Sequence, residues 1–226
     1  LFFEGSMRGL FSMLFGAGVV MFTTGFGSHS GTGKSARLHY RRTFFLLVFG
    51  IFDAYVLLWT GDILILYAIA GAILYPLRNT KPKTLILLSA VVLLCSSFVF
   101  ATAGTLMTEG RDAAAVIEAN PEGNHSTELH EQADLWYEAD GTFTYNETAI
   151  QEELDLRRGS YSQVAEYSAK TVNEHLMFFA PLFMMWDAIG MMLLGMAAYR
   201  LGFLSAQRSK KDYLRLTIFG FSIGLL

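Results

Sequence analysis

Residues 41–78 read RRTFFLLVFGIFDAYVLLWTGDILILYAIAGAILYPLR. Two apolar runs, Thr43–Thr60 and Ile63–Leu77, are separated by little more than Gly61-Asp62 and fenced by arginines at both outer ends. A helix needs about 20 mostly apolar residues to cross a bilayer core, with about 17 as a lower bound. The first run meets this length, and the second meets it once its interfacial residues are included. Lipid offers backbone N–H and C=O groups no partner, so each run must satisfy them within its own segment, as a helix does. The runs are apolar on all faces and lack the alternation of a barrel strand. The stretch therefore predicts a helical hairpin that crosses a membrane twice.

The same criterion extends the reading to 9–26, 84–103 and 176–201, and to the start of a further helix at 214–226. The connections alternate in charge. Segment 27–42 carries Lys34, Arg37, Arg41 and Arg42; the turn near 60–62 has only Asp62; 78–83 has Arg78, Lys81 and Lys83; 202–213 has Arg208, Lys210 and Lys211. Segment 104–175 is acidic, with 15 Asp and Glu against four basic residues. Cytoplasmic loops carry the excess of Lys and Arg. The expectation is an all-α, polytopic transmembrane bundle in a bacterial plasma membrane, with loops 27–42, 78–83 and 202–213 cytoplasmic. Segment 104–175 and the N-terminal end then lie outside the cytoplasm.

Composition agrees with this reading. The chain is 53% hydrophobic and 16% charged with mean hydropathy +0.38, against about 25% charged in a typical soluble domain. The net charge of −3 averages a basic membrane part and an acidic loop. Within the loop, Asn120–Gly123 and Gly141–Asn146 hold breakers. The segment 147–172 reads as a helix interrupted near Gly159, lying on or above the outer surface. Cys95 stands alone, which excludes an internal disulfide framework and a cysteine metal site. No metal ligand set and no nucleic-acid partner is expected. The chain opens on Leu1 and stops within an apolar run, so both ends read as cut.

Several motifs bear on chemistry. GSHSGTGKS (27–35) resembles a phosphate loop but has Ser28 where that motif needs its first glycine, and it follows an apolar helix instead of a strand. Ionisable groups within apolar helices are costly, about 2.5–3.5 kcal/mol on insertion scales, and often serve a function. Asp53 and Asp187 are such groups, each weighed evenly between a site role and helix packing. Asp62 after Gly61 reads first as the N-cap of the third helix, with a site role second. His175, at the start of the fifth helix, is a candidate general base, although a surface histidine is the commoner case. Asn124-His-Ser126 and Asn146-Glu-Thr148 fit a glycosylation pattern that matters only in a eukaryotic secretory route. Gly220 and Gly224 have the spacing of close helix packing, and Met184, Met185, Met191 and Met192 read as adaptable core.

LFSMLFGAG (10–18), the run 41–78 and DAIGMMLLGMAAYRLGFL (187–204) together resemble the YeiB-type bacterial membrane proteins, a family of unknown function. Gly61-Asp62-Ile63-Leu64 with Tyr67, Gly71 and Arg78 carries the most specific part of the likeness. The resemblance implies further helices upstream and downstream. It also implies kinship with transmembrane acyltransferases such as heparan-α-glucosaminide N-acetyltransferase, which take an acyl group from cytoplasmic acyl-CoA. On that basis Lys34, Arg37, Arg41 and Arg42 are expected to hold the CoA phosphates. Asp53 is base or orienter, and Asp62 and His175 sit near an envelope acceptor. Family members carry His where this chain has Asp53, so a carboxylate takes the base's place. The alternatives are a transporter in which Asp53 and Asp187 relay protons or bind a cation, and a structural or regulatory membrane protein. The lipid bilayer and a second copy of the chain complete the expected partners.

Overall fold

The computed structural model describes residues 2–27, 32–59, 61, 63–121, 123–143 and 147–224, with the backbone alone at 2–6, 24–27, 32–33, 140–143, 147–149, 152 and 223–224. It is all-α: among the described residues there is no strand. The helices are α1 (Phe2–Gly27), α2 (Thr32–Tyr55), α3 (Leu64–Leu74), α4 (Pro82–Ala119), α5 (Thr127–Phe143), α6 (Glu147–Arg157), α7 (Tyr161–Glu174), α8 (Met185–Arg200) and α9 (Lys210–Gly224). A short 3₁₀ segment, Tyr75–Asn79, extends α3. Wide π-type turns over His175–Met184 join α7 to α8 without a break.

Helix limits follow local chemistry. The loop expected over 27–42 is helix from Thr32 onward, because Lys, Arg, Ala and Leu are all good helix formers. α2 ends at Tyr55, five residues before the apolar run does. Leu58 there takes a left-handed φ of 59°, and the Trp59 N–H returns to the Asp53 carbonyl at 3.1 Å. The fourth helix was expected to stop at 103. It continues to Ala119 through Gly104 and Gly110, since no proline intervenes before Pro121, which drives its predecessor Asn120 out of helical geometry. The predicted interruption near Gly159 falls between α6 and α7, where Ser160 and Gln163 form a reciprocal cap at the start of α7. Pro181 has no N–H to give to the turn before it. The chain accommodates this with i→i+5 bonding, such as Met185 N–H to the Ala180 carbonyl.

Packing fixes the helix directions. α1 and α8 run the same way, with Arg8 beside Asp187 and Met13 beside Gly195. α3 runs with them, Ser12 meeting Tyr67 and Phe15 meeting Gly71. α2 runs the other way, pairing His39 with Tyr75 at one end and Ala54 with Ile65 at the other. α4 is also reversed, with Ser89 bonded to the Gly190 carbonyl and Phe100 against Phe183. The shared core includes Val20, Leu74, Leu85, Met192 and Met196. At one end, the extension of α4 packs against α5 through Ala113, Ala114 and Ala133. Among the described residues two helices are long and apolar enough to cross a membrane, Pro82–Ala119 and the continuous Tyr161–Arg200.

Candidate functional site

Four polar side chains share one stripe of α2: Ser35, His39, Arg42 and Thr43 stand at i, i+4, i+7 and i+8. Because α2 is antiparallel to α3, His39 is brought against the C-terminal half of α3, while Ser35 and Arg42 meet Thr23 and Phe22 of α1. His39 is 8% exposed. Its Nε2 lies 3.1 Å from the Gly71 carbonyl and 3.4 Å from Thr43 Oγ1, and its ring stacks on Tyr75 at 4.6 Å. When Nε2 donates to that carbonyl, Nδ1 is left as the basic nitrogen. Arg42 lies over the Phe22 ring at 4.3 Å and Arg78 over the Tyr75 ring at 4.0 Å. Arg200 donates to the Arg78 carbonyl, so α8 ends among the same cations.

A cavity of about 460 Å³ opens between α1 and α2, lined by Phe15, Val19, Leu46 and Phe49 among others, with His39, Arg41, Arg42 and Thr43. A smaller one of about 180 Å³ adjoins it, and His39 and Arg42 line both. The larger volume lies within the ~300–1,000 Å³ range of ligand pockets, which are typically apolar with a few convergent polar groups. Of the four cations expected to bind phosphate, Arg41 and Arg42 line the cavity; Lys34 and Arg37 are exposed on an earlier turn of the same helix.

A second polar cluster lies toward the other end of the bundle. Arg8 on α1 pairs with Asp187 on α8, Nη2 to Oδ2 at 3.1 Å. Beside them, the Ser12 and Tyr67 hydroxyls are 2.7 Å apart, and both reach the Arg8 carbonyl. The remaining candidates do not join it. Asp53 is in the last turn of α2 and half-buried, without an ion pair or a hydrogen bond to its carboxyl among the described residues. The 11 residues from Arg42 to Asp53 span about 16 Å of helix. His175 stacks loosely on Phe179, centroids 5.1 Å apart; twelve residues, on the order of 15–18 Å, separate it from Asp187. Asp62 lies outside the described residues. The N-cap of α3 falls on Ile63, with no side-chain cap bond. Among the described residues no group of three or more His, Cys, Asp or Glu is placed to hold a metal ion.

His39, Arg8, Tyr67 and Ser12 are additions from the structure. The polar stripe of α2 was readable as helical spacing. Arg8 and Tyr67 became visible as partners only when three helices far apart in sequence came together.

Comparison with known proteins finds one relevant relative. The chain is 38% identical over 91 residues to "Uncharacterized protein YxaH" of Bacillus subtilis (strain 168), a match covering 40% of this chain and 22% of that protein. No protein-family model matches the chain, and no solved structure matches it.

Proposed function

We propose that this chain is the helical core of a multi-pass membrane protein of YeiB type that moves an acyl group from cytoplasmic acyl-CoA to an envelope acceptor. The membrane part of the reading is supported by the molecule's surface. Leu87, Leu94 and Phe98 on α4 are 64–70% exposed in one stripe, and Phe44, Phe45 and Phe49 on α2 are 52–61% exposed. Apolar patches of such length are rare on soluble monomers and natural against lipid. The alternating directions of α1 to α4 and α8 support the topology expected from the charges. In that topology the end bearing Lys34, Arg41, Arg42, Arg78, Lys81 and Arg200 faces the cytoplasm.

The observation that carries the acyl-transfer reading is the cavity between α1 and α2. It sets two guanidinium groups and a buried imidazole at one end of an apolar slot. Arginine forks suit phosphate oxygens, so Arg41 and Arg42 hold the pyrophosphate of CoA, with Lys34 and Arg37 outside them. In the transfer, the acyl carbon leaves the CoA sulfur and bonds to an acceptor oxygen or nitrogen. The acceptor's proton passes to a base and then to the departing thiolate. His39, within one turn of Arg42, lines the phosphate end, and Asp53 on the acceptor side takes the base role. Asp53, Asp62 and His175 serve the acceptor side, about one helix length away.

The test is native mass spectrometry of the full-length protein in nanodiscs with acetyl-CoA. Retained CoA, lost in Arg41→Gln/Arg42→Gln and kept in Asp53→Asn, is the expected result, together with abolished turnover in Asp53→Asn. Absence of CoA at saturating concentration overturns the proposal. Proton-coupled transport is then the reading to pursue, starting from the Arg8–Asp187 pair.

A further inference from the structure

We infer that Arg78 and Arg200 form a second phosphate subsite at the basic end of the bundle, and that it takes the ribose 3′-phosphate of CoA. This rests on the acyl-CoA reading above and extends it from the pyrophosphate, on Arg41 and Arg42, to the nucleotide end. The fold brings these two arginines together without an acid to balance them. No Asp or Glu occurs from Ile63 to Thr108, nor from Ala188 to Lys211. Among the described residues the ion pairs are Arg8–Asp187, Arg111–Asp112 and Arg157–Glu153, so neither arginine has a carboxylate partner. Arg200 donates to the Arg78 carbonyl, and Arg78 Nη1 donates to the Tyr75 carbonyl at 3.2 Å. Capping the last carbonyls of a helix is the ordinary use of an arginine at such a place, but it occupies one N–H of each. A guanidinium has five, and Arg200 Nε is buried with no hydrogen-bond partner. Two half-buried cations held side by side repel, and a dianion bound to both reverses the sign.

The subsite lies within reach of the cavity. The Tyr75 ring is 4.6 Å from the His39 ring and 4.0 Å from the Arg78 guanidinium, which puts Arg78 no more than about 9 Å from an imidazole that lines the cavity. Tyr40, the neighbour of Arg41, is 44% exposed, with its ring 5.1 Å from that of Tyr75. It offers an open aromatic surface to a base on the way from one pair of arginines to the other. In CoA the pyrophosphate and the 3′-phosphate are carried by one ribose, so a single ligand can meet both pairs. A lipid phosphodiester shares the phosphate chemistry but carries one negative charge. A phosphate monoester, with its second pKa near about 6, carries nearly two at neutral pH and has three acceptor oxygens. Two guanidinium forks with no acid of their own match the monoester.

The experiment compares acetyl-CoA with 3′-dephospho-acetyl-CoA on the full-length protein in phosphatidylcholine nanodiscs, with and without added phosphatidylglycerol, by native mass spectrometry. Wild-type protein is expected to retain acetyl-CoA at least about tenfold better, the scale of losing charge-assisted hydrogen bonds. Arg78→Gln and Arg200→Gln are each expected to erase most of that advantage while the dephospho form is retained as before. The dephospho ligand thereby reports folding, since a misfolded variant loses both thioesters. Arg78→Lys, which keeps the charge without the fork, stands in for a variant that fails this control and is expected to lose part of the advantage. Equal retention of the two thioesters by wild-type protein overturns the subsite and leaves the acyl-CoA reading standing. A preference that survives the substitutions also overturns it, by placing the 3′-phosphate elsewhere. Phosphatidylglycerol that is held by wild-type protein against both thioesters and released by Arg78→Gln overturns it too, by making the pair a lipid site. Retention of neither thioester, with or without phosphatidylglycerol, removes the underlying reading as well.

Discussion

Asp187 is a carboxylate in a helix whose neighbours are apolar, and Arg8 is the cation that meets it at 3.1 Å. Removing one member of such a pair strands the other, whereas removing both removes the need for either. In a double-mutant cycle, Arg8→Gln and Asp187→Asn are each expected to cost about 1–3 kcal/mol. This is less than a fully buried pair would lose, since both side chains are partly exposed. The double variant is expected to recover part of that loss. Thermal unfolding in detergent reads the cycle, and simple additivity of the single losses would show that the pair has no coupling. This residue also marks how far sequence reading reaches. Asp187 was legible as an anomaly because a charge inside an apolar run is rare. Its partner was not legible, because Arg8 lies 179 positions away and helical periodicity says nothing about which distant helix packs alongside. The stripe of Ser35, His39, Arg42 and Thr43 was the opposite case. Its spacing was on view, but the burial of Ser35, His39 and Thr43 depended on α1 and α3 packing against it, with Arg42 left exposed.

Elements divide by how local their cause is. The apolar runs gave the middles of α1 to α4 and α8, since length and hydrophobicity are properties of the segment itself. Their ends depended on cap and breaker chemistry: Leu58 closes α2 early, and α4 runs on until Pro121 stops it. Close approach between helices was the least legible. Gly220 and Gly224 had the expected spacing, yet a Cβ on Gly220 would meet nothing within 4 Å. The tight crossing is elsewhere, between α1 and α8. A Cβ built on Gly16 would stand 2.0 Å from the Met192 carbonyl oxygen, and one on Gly195 would stand 1.9 Å from that of Met13. Both obstacles are backbone, so no rotamer change relieves them. Gly16→Ala and Gly195→Ala are each expected to destabilise by about 1–3 kcal/mol as overpacking, with Gly220→Ala near neutral. Equal melting temperatures for all three variants would mean that the crossing is loose. At the start of α9, Ser209 Oγ donates to Asp212 Oδ2 at 2.8 Å and accepts from the Asp212 N–H. The hydrogen bond from Ser209 is the main reason the Asp212 carboxyl titrates below its ordinary value. A lowered folded-state pKa contributes stability above the unfolded value and loses it as pH falls through the folded one. Amide exchange at the first turn of α9 is therefore expected to quicken, after correction for its intrinsic pH dependence, as pH drops below about 4. Ser209→Ala should shrink that acid-dependent quickening; an unchanged pH dependence would remove the cap from the account.

At the scale of the whole molecule, charge is sorted along the bundle axis. The end where α1 gives way to α2 and α3 to α4 holds Lys34, Arg37, Arg41, Arg42, Arg78, Lys81 and Lys83, and α8 delivers Arg200 to the same end. The far end continues into α4's extension and α5 to α7, where acidic residues outnumber basic ones. α7 is tied down over that end: Tyr161 donates to the Val56 carbonyl and Tyr55 to Asn173 Oδ1. A membrane potential negative inside and anionic inner-leaflet lipids both favour the basic end in the cytoplasm. The sorting is thus a prediction about sidedness that no single residue makes. Because Cys95 is the chain's sole cysteine, a Cys95→Ser background permits clean labelling with a membrane-impermeant thiol reagent in intact cells. Glu131→Cys and Glu153→Cys are expected to label from outside, whereas Lys81→Cys and Lys210→Cys should label only after the cells are opened. Reversal of both pairs would invert the bundle and place Arg41 and Arg42 beyond the reach of cytoplasmic CoA. Labelling of all four from outside would instead mean that the basic and acidic ends lie on one side of the membrane. The helix directions would then need an explanation other than crossing it, and the acyl-transfer reading would lose the two-sided geometry on which it depends.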